Sequence, residues 1–325
     1  MIKTYLYRND NDKQEMISNI NLSDVDEHLS DADSLLWIDI YDVQSHELYE
    51  VAKIFDFHPL AIEDCLHDSP RAKMDNYEDY KFFVLHALRY NEDSDNEITT
   101  LELNVFVGPN YVVTIHKRKL KWLGQMDAIC SKNTKYMNKG ADFLLYALID
   151  GITDEYFPIL DRISIRIDEL ENEIYDEAIR GVTEEFLALK RTIILIRRVI
   201  LPQRRIFLTV DGKWKFDIRE ENVPFYTDLI DHLERIVDAT ETFRDLVNSA
   251  LDTYYSIINA KSSEKLNVLT LISTIMLPLT FVTGFFGMNV PLPYQNSPIA
   301  TILIFSFLVL LTFGMWKYFK KKQLL

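Results

Sequence analysis

Two cysteines, Cys65 and Cys130, stand isolated in 325 residues, with no Cys-x-x-Cys pair and no Cys/His cluster. Neither a disulfide framework nor a thiolate zinc site is supported, and a reducing compartment fits. Glycine is scarce, at nine, and no Gly-x-x-x-x-Gly-Lys-Ser/Thr loop occurs, so ATP-driven pumping has no support. No His-Glu-x-x-His run is present, which argues against a membrane-anchored hydrolase working through a bound metal. The first ten residues are polar and lack an apolar h-region; no cleaved signal peptide is expected. The most consequential absence is of charge: from Leu266 to Trp316 there are 51 residues without an Asp, Glu, Lys, Arg or His.

A membrane span needs about 20 apolar residues, so this stretch holds two, at residues 267–286 and 299–315, joined by a proline-rich connector. A soluble core of 325 residues cannot enclose two apolar helices of that length. Lys261 and Lys265 precede the first span, and Lys317, Lys320, Lys321 and Lys322 follow the second. The positive-inside rule then puts both ends in the cytoplasm and the turn at Asn289 outside. From Lys261 onward the charged residues are six lysines and one glutamate, so the first 260 residues carry −20 of a chain whose net charge is −15. A cytosolic part this acidic repels nucleic acid and accumulates cations.

Residues 1 to about 135 alternate short strands with short helices. Runs rich in β-branched and aromatic residues predict strands at 2–7, 35–40, 81–88, 97–107 and 111–116, with helices at 45–55, 58–66 and 121–132, an α/β domain with a mixed sheet. From about Asp142 an apolar residue recurs every three or four positions through Ile174, the stripe of one amphipathic helix. A second such helix follows Gly181. The first is acid-rich near its end (Asp168, Glu169, Glu171, Glu173) and the second is basic (Arg191, Arg197, Arg198, Arg204, Arg205), which predicts an antiparallel pair of complementary charge. A third helix begins near Pro224, and Leu229, Leu233, Ile236, Thr240, Phe243, Val247, Ala250, Tyr254 and Ile257 follow a 4-3-4-3 rhythm. That rhythm reads as a coiled-coil seam or as a face packed on the two upstream helices. No glycine or proline interrupts it before the membrane, so the helix is expected to run unbroken to Phe286, about 95 Å at 1.5 Å per residue.

Within the first span Leu266, Leu269, Ser273, Leu277, Thr280, Gly284 and Gly287 share one face, apolar below and small or hydroxylated above. Such a face packs a neighbouring helix closely or lines a narrow path for water and ions. The segment Thr280-Phe281-Val282-Thr283-Gly284-Phe285-Phe286-Gly287-Met288-Asn289 resembles the signature of the CorA family of magnesium channels, whose first span ends in Gly-Met-Asn. The similarity includes Leu269-Thr270, Pro278-Leu279-Thr280, Thr242-Phe243-Arg244-Asp245, the basic end Tyr318-Phe319-Lys320-Lys321-Lys322 and the layout of the whole chain.

The resemblance implies a homopentamer in the cell membrane, with first spans and stalk helices around a pore for Mg²⁺, and for Co²⁺ or Ni²⁺, and second spans facing lipid. The expected fold is an α+β membrane protein: a cytosolic α/β domain (1–140), a helical hairpin (141–223), a stalk (224–266), a first span ending in the motif (267–289), a connector (290–298), a second span (299–316) and a basic tail (317–325). Gly287, Met288 and Asn289 would form the mouth. Five Asn289 carboxamides would hold a cation that sheds its water reluctantly, although Asn289 also suits a helix C-cap. Ser273, Thr280 and Gly284 would line the pore, and Leu266, Leu269 and Leu277 would close it by dewetting. Regulatory Mg²⁺ between subunits would be held by Glu63, Asp64 and Asp228. The chain departs from the family pattern at Ser164 and Ile165, near where further acids are expected beyond Tyr156-Phe157, and in a connector without acids. The zinc-transporting branch of the superfamily and a non-conducting scaffold are the competing readings.

Overall fold

The computed structural model describes residues 1–10, 13–29, 34–42, 45–90, 98–174, 181–210, 212–288 and 297–322. Asn289 and most of the connector, 290–296, lie outside the described residues, as does Glu97. The strands are β1 (Ile2–Asp10), β2 (Lys13–Ser18), β3 (Ser34–Tyr41), β4 (Lys73–Asn76), β5 (Lys81–Tyr90), β6 (Ile98–Val107) and β7 (Tyr111–His116). The helices are α1 (Val25–Leu29), α2 (Ser45–Ile54), α3 (Pro59–Leu66), α4 (Lys121–Cys130), α5 (Gly140–Asp154), α6 (Phe157–Glu173), α7 (Val182–Phe207), α8 (Val223–Phe286) and α9 (Pro298–Lys321). The chain divides into two compact units, Met1–Asn248 and Ser249–Leu325.

In the first unit one sheet runs β2-β1-β3-β7-β6-β5-β4. Among the described strands only β3 and β7 pair in parallel, Trp37 opposite Val112, and the other ladders are antiparallel. The sheet is mixed, as the sequence predicts. Ser34–Tyr41 is buried along nearly its whole length because helices cover both faces. Leu36, Ile38 and Ile40 join Leu48, Val51, Ala61 and Ile62 of α2 and α3 in one core, while α5 lies against β5, β6 and β7 on the other side. The sequence reading missed β2 and β4. Their residues, Lys-Gln-Glu-Met-Ile-Ser and Lys-Met-Asp-Asn, are mostly polar, and each forms an edge held through pairing with a single neighbour.

Two helical expectations need correction, and one open alternative is decided. The long stripe from Asp142 is two helices, because Pro158 in the first turn of α6 has no N–H to continue the ladder of α5. The expected acid-to-base match between the second and third of these helices is also reversed: Arg166 of α6 pairs with Glu185 of α7, while Arg197 and Arg204 of α7 pair with Glu241 and Glu234 of α8. An antiparallel hairpin sets the acidic end of α6 beside the start of α7, where Glu184 and Glu185 lie, and leaves the arginines at the far end for α8. Finally, Leu229, Leu233, Ile236, Thr240 and Val247 are all buried within the chain, so the upstream helices fill this part of the 4-3-4-3 seam.

The second unit consists of the later part of α8 and α9, and the described part of α9 has no buried residue. Windows of 18 residues in the two helices have mean hydropathies of 1.9 and 2.3, with none of either window buried. Both helices are long and apolar enough to cross a membrane.

Candidate ion pathway and metal-binding acids

Along the span of α8 the partly covered residues are Leu271, Ile275, Pro278, Leu279 and Val282. Ile275, Leu279 and Thr283 line a hollow of ≈ 780 Å³ together with Leu308, Val309, Thr312, Phe313 and Trp316 of α9. Leu266, Leu269, Ser273, Leu277, Thr280 and Gly284 are exposed, Leu277 by 73%. At about 100° per residue their mean direction lies roughly 180° from that of the covered set. One side of the helix therefore packs on α9, and the predicted face points the opposite way. A Cβ on Gly284 would meet nothing within 4 Å, whereas one on Gly287 would come 3.0 Å from the Thr283 carbonyl, which accepts the Gly287 N–H at 2.9 Å. Met288 is 42% exposed.

The acids of the first unit are placed by two anchors. His58 caps α3, its Nδ1 accepting from Leu60 N–H at 3.2 Å, and so starts the turn that carries Glu63 and Asp64. Glu63 is exposed, and Asp64 is in an ion pair with Lys73 at 2.6 Å. At the start of α5, buried Asp142 accepts from Arg219 N–H and from Asn222 Nδ2, and its carbonyl accepts from Tyr226 Oη at 2.8 Å. These bonds fix the start of α8 beside α5 and set the next turns of the two helices face to face.

There the structure assembles a group that the sequence reading did not find. Ligand atoms of Asp150, Asp154 and His232 lie within 4.8 Å of one another, and Asp228 Oδ2 is 3.7 Å from His232 Nε2. His232 Nδ1 is 3.3 Å from Asp150, with its ring edge-on to Phe157. Burial, and next the charge of Asp154, raise the Asp150 carboxyl above its ordinary value, against hydrogen bonds from Tyr146 and His232. The signal was present as two i, i+4 pairs, Asp150/Asp154 and Asp228/His232, each putting its side chains on one helix face. Neither Glu63 nor Asp64 belongs to this group. Carboxylate oxygens suit Mg²⁺, and an added imidazole extends the set to Co²⁺, Ni²⁺ and Zn²⁺.

A family model described as CorA-like Mg²⁺ transporter protein matches residues 32–321. The chain belongs to this family. It is 31% identical over 300 residues to the cobalt/magnesium transport protein CorA of Thermotoga maritima, covering 90% of this chain and 84% of that one. The solved CorA magnesium transporter of Methanocaldococcus jannaschii has the same fold, with a TM-score of 0.80 at 24% identity over 98% of this chain and 97% of that one. A weaker similarity, 20% over 79% of this chain and 77% of the other, is to the zinc transport protein ZntB of Pectobacterium carotovorum. The chain is thus a membrane protein and a transporter of Mg²⁺ or related divalent metal, of a family of transporters rather than enzymes.

Proposed function

We propose that several copies of this chain, five by the family resemblance, gather α8 about a common axis to form a passive channel for Mg²⁺ driven by the membrane potential. The observation that carries this reading is the uncovered face of α8 opposite α9. One hairpin cannot enclose a pore, whereas a closed ring of identical copies can, and in that ring the face from Leu266 to Gly284 turns inward. Gly284, where an added Cβ would meet no described atom within 4 Å, admits a close approach. Gly287 ends the span where a side chain would crowd the Thr283 carbonyl, and Asn289 follows it as the amide that meets the hydrated ion. Co²⁺ and Ni²⁺ would pass by the same route.

Closure follows from the acids. Asp228 stands at the exposed edge of the Asp150, Asp154 and His232 group, 59% open to solvent, while Glu63 stands exposed on α3 and Asp64 is neutralised by Lys73. Internal Mg²⁺ bridging acids of adjacent copies would hold the leucine rings closed, and its loss would release like charges to repel. The zinc reading is favoured by His232 and by the ZntB similarity. Flux of Mg²⁺, Co²⁺, Ni²⁺ and Zn²⁺ into liposomes holding the purified protein, at imposed membrane potentials, decides between them. Mg²⁺ entry that grows with inside-negative potential supports the proposal, zinc entry without Mg²⁺ entry replaces it, and absence of any flux removes it.

A further inference from the structure

Two rows of arginine run along α7. Arg197 and Arg204 reach α8 and pair with Glu241 and Glu234, each at 2.6 Å. One residue further on, and so turned by about 100°, Arg198 and Arg205 are exposed and form no ion pair among the described residues. Together with Arg71, from the stretch after α3, and Lys215, from the connection between α7 and α8, they line a hollow of ≈ 540 Å³. Among the described residues no Asp or Glu lines it, although the first 260 residues carry a net −20. The floor is apolar, formed by Met74, Leu201, Pro202 and Ile206.

Lys215 has a local task, since its ammonium donates to the Arg205 carbonyl in the last turn of α7, where a cation is favoured. The three guanidiniums form no ion pair or hydrogen bond among the described residues. They come from two separate parts of the chain, repel one another, and stand beside two arginines of the same helix, Arg197 and Arg204, that do find carboxylates. We infer that this hollow binds a phosphorylated small molecule with an apolar ring, of the class of the nucleoside polyphosphates. A guanidinium presents a planar fork that fits phosphate oxygens two at a time, several close cations match a polyphosphate chain, and the apolar floor accepts a ring. The volume is within the range of about 300–1,000 Å³ seen for small-molecule sites. Recognition rests on side chains, in keeping with the absence of a glycine-rich phosphate loop. The site is separate from the acid group of α5 and α8, and the inference does not depend on how ions are conducted.

The test is calorimetric titration of the full-length protein in nanodiscs of neutral lipid, without Mg²⁺, with ATP, tripolyphosphate or adenosine. ATP is expected to bind saturably below about 1 mM, tripolyphosphate more weakly, and adenosine not measurably. Arg198→Gln with Arg205→Gln should weaken ATP at least about tenfold, whereas Arg191→Gln, on the same helix but outside the hollow, should leave it unchanged. Arg198→Lys with Arg205→Lys, which keeps the charge and removes the fork, should fall between and shows that the effect is not misfolding. Absence of saturable ATP binding, or equal affinity in the wild type and the glutamine pair, would overturn the site. Tripolyphosphate binding as tight as ATP would overturn the nucleoside assignment.

Discussion

Asp154→Asn separates a metal site from a patch of solvated acids, because its effect on stability should change sign with Mg²⁺. Without metal, Asp154 stands within 4.8 Å of the Asp150 group, and two like charges at that distance repel by about 0.9 kcal/mol in water and about 3.5 kcal/mol at an effective dielectric of 20. Asp154 is exposed, so the aqueous end of that range applies and removal of its charge should stabilise the protein by about 1 kcal/mol. The Asp150 carboxyl, held above its ordinary value, keeps its proton more readily folded than unfolded. Its ionisation therefore costs stability as pH rises through the raised value, and the variant lessens that cost. With Mg²⁺ at about 100 times its dissociation constant, the wild type gains about 2.7 kcal/mol. Loss of one ligand, weakening Mg²⁺ about ten- to hundredfold, removes about 1.3–2.3 kcal/mol of that gain. The midpoint of thermal unfolding, followed by circular dichroism in detergent, moves by about 2–4 °C per kcal/mol for a unit of this size. The variant should melt above the wild type in chelator and below it in Mg²⁺. An equal shift in both would mean that Asp154 holds no metal, and the assigned group would fail with it.

Asn289→Ala should abolish Mg²⁺ uptake into liposomes while size-exclusion chromatography shows an unchanged assembly; wild-type flux would take the amide out of the mechanism. Asp228→Ala should shift inhibition by internal Mg²⁺ to higher concentration, measured as uptake against Mg²⁺ trapped inside, and an unmoved curve would leave Asp228 a solvated carboxylate. Burial lowers the proton affinity of His86, against a hydrogen bond with the Ser69 carbonyl. The unfolded chain therefore binds more protons just below pH ~6.5, and stability should fall as pH drops from about 6.5 toward the lowered value. Half-buried Glu102, raised by burial, acts in the opposite sense at lower pH, so the readout is the difference between His86→Gln and the wild type in urea unfolding, a difference that should become independent of pH above ~7.5. Gly287→Ala should reduce flux, since its methyl meets the Thr283 carbonyl at 3.0 Å, and undiminished flux would show that the turn yields without cost.

Much of this protein is set by one-dimensional pattern. An uncharged run of 51 residues reads as two apolar helices, a 4-3-4-3 rhythm without glycine or proline in its cytosolic part reads as a long helix, and runs of β-branched residues read as strands, because backbone hydrogen bonding and burial act over a few residues. The face of α8 that carries Leu266 to Gly284 was legible for the same reason, as helical geometry repeats. The polar edges β2 and β4 were not, since pairing with a neighbour rather than composition makes them strands. Nor was the partner of each charge: Arg197 and Arg204 turned to α8 rather than α6 once the antiparallel hairpin set which ends meet. The candidate metal group depends most on tertiary contact. Asp150 and Asp154 lie about 80 positions before Asp228 and His232, and the anchoring of Arg219, Asn222 and Tyr226 on Asp142 brings the two helix faces together, so a pattern visible as two separate i, i+4 pairs becomes a candidate site through packing.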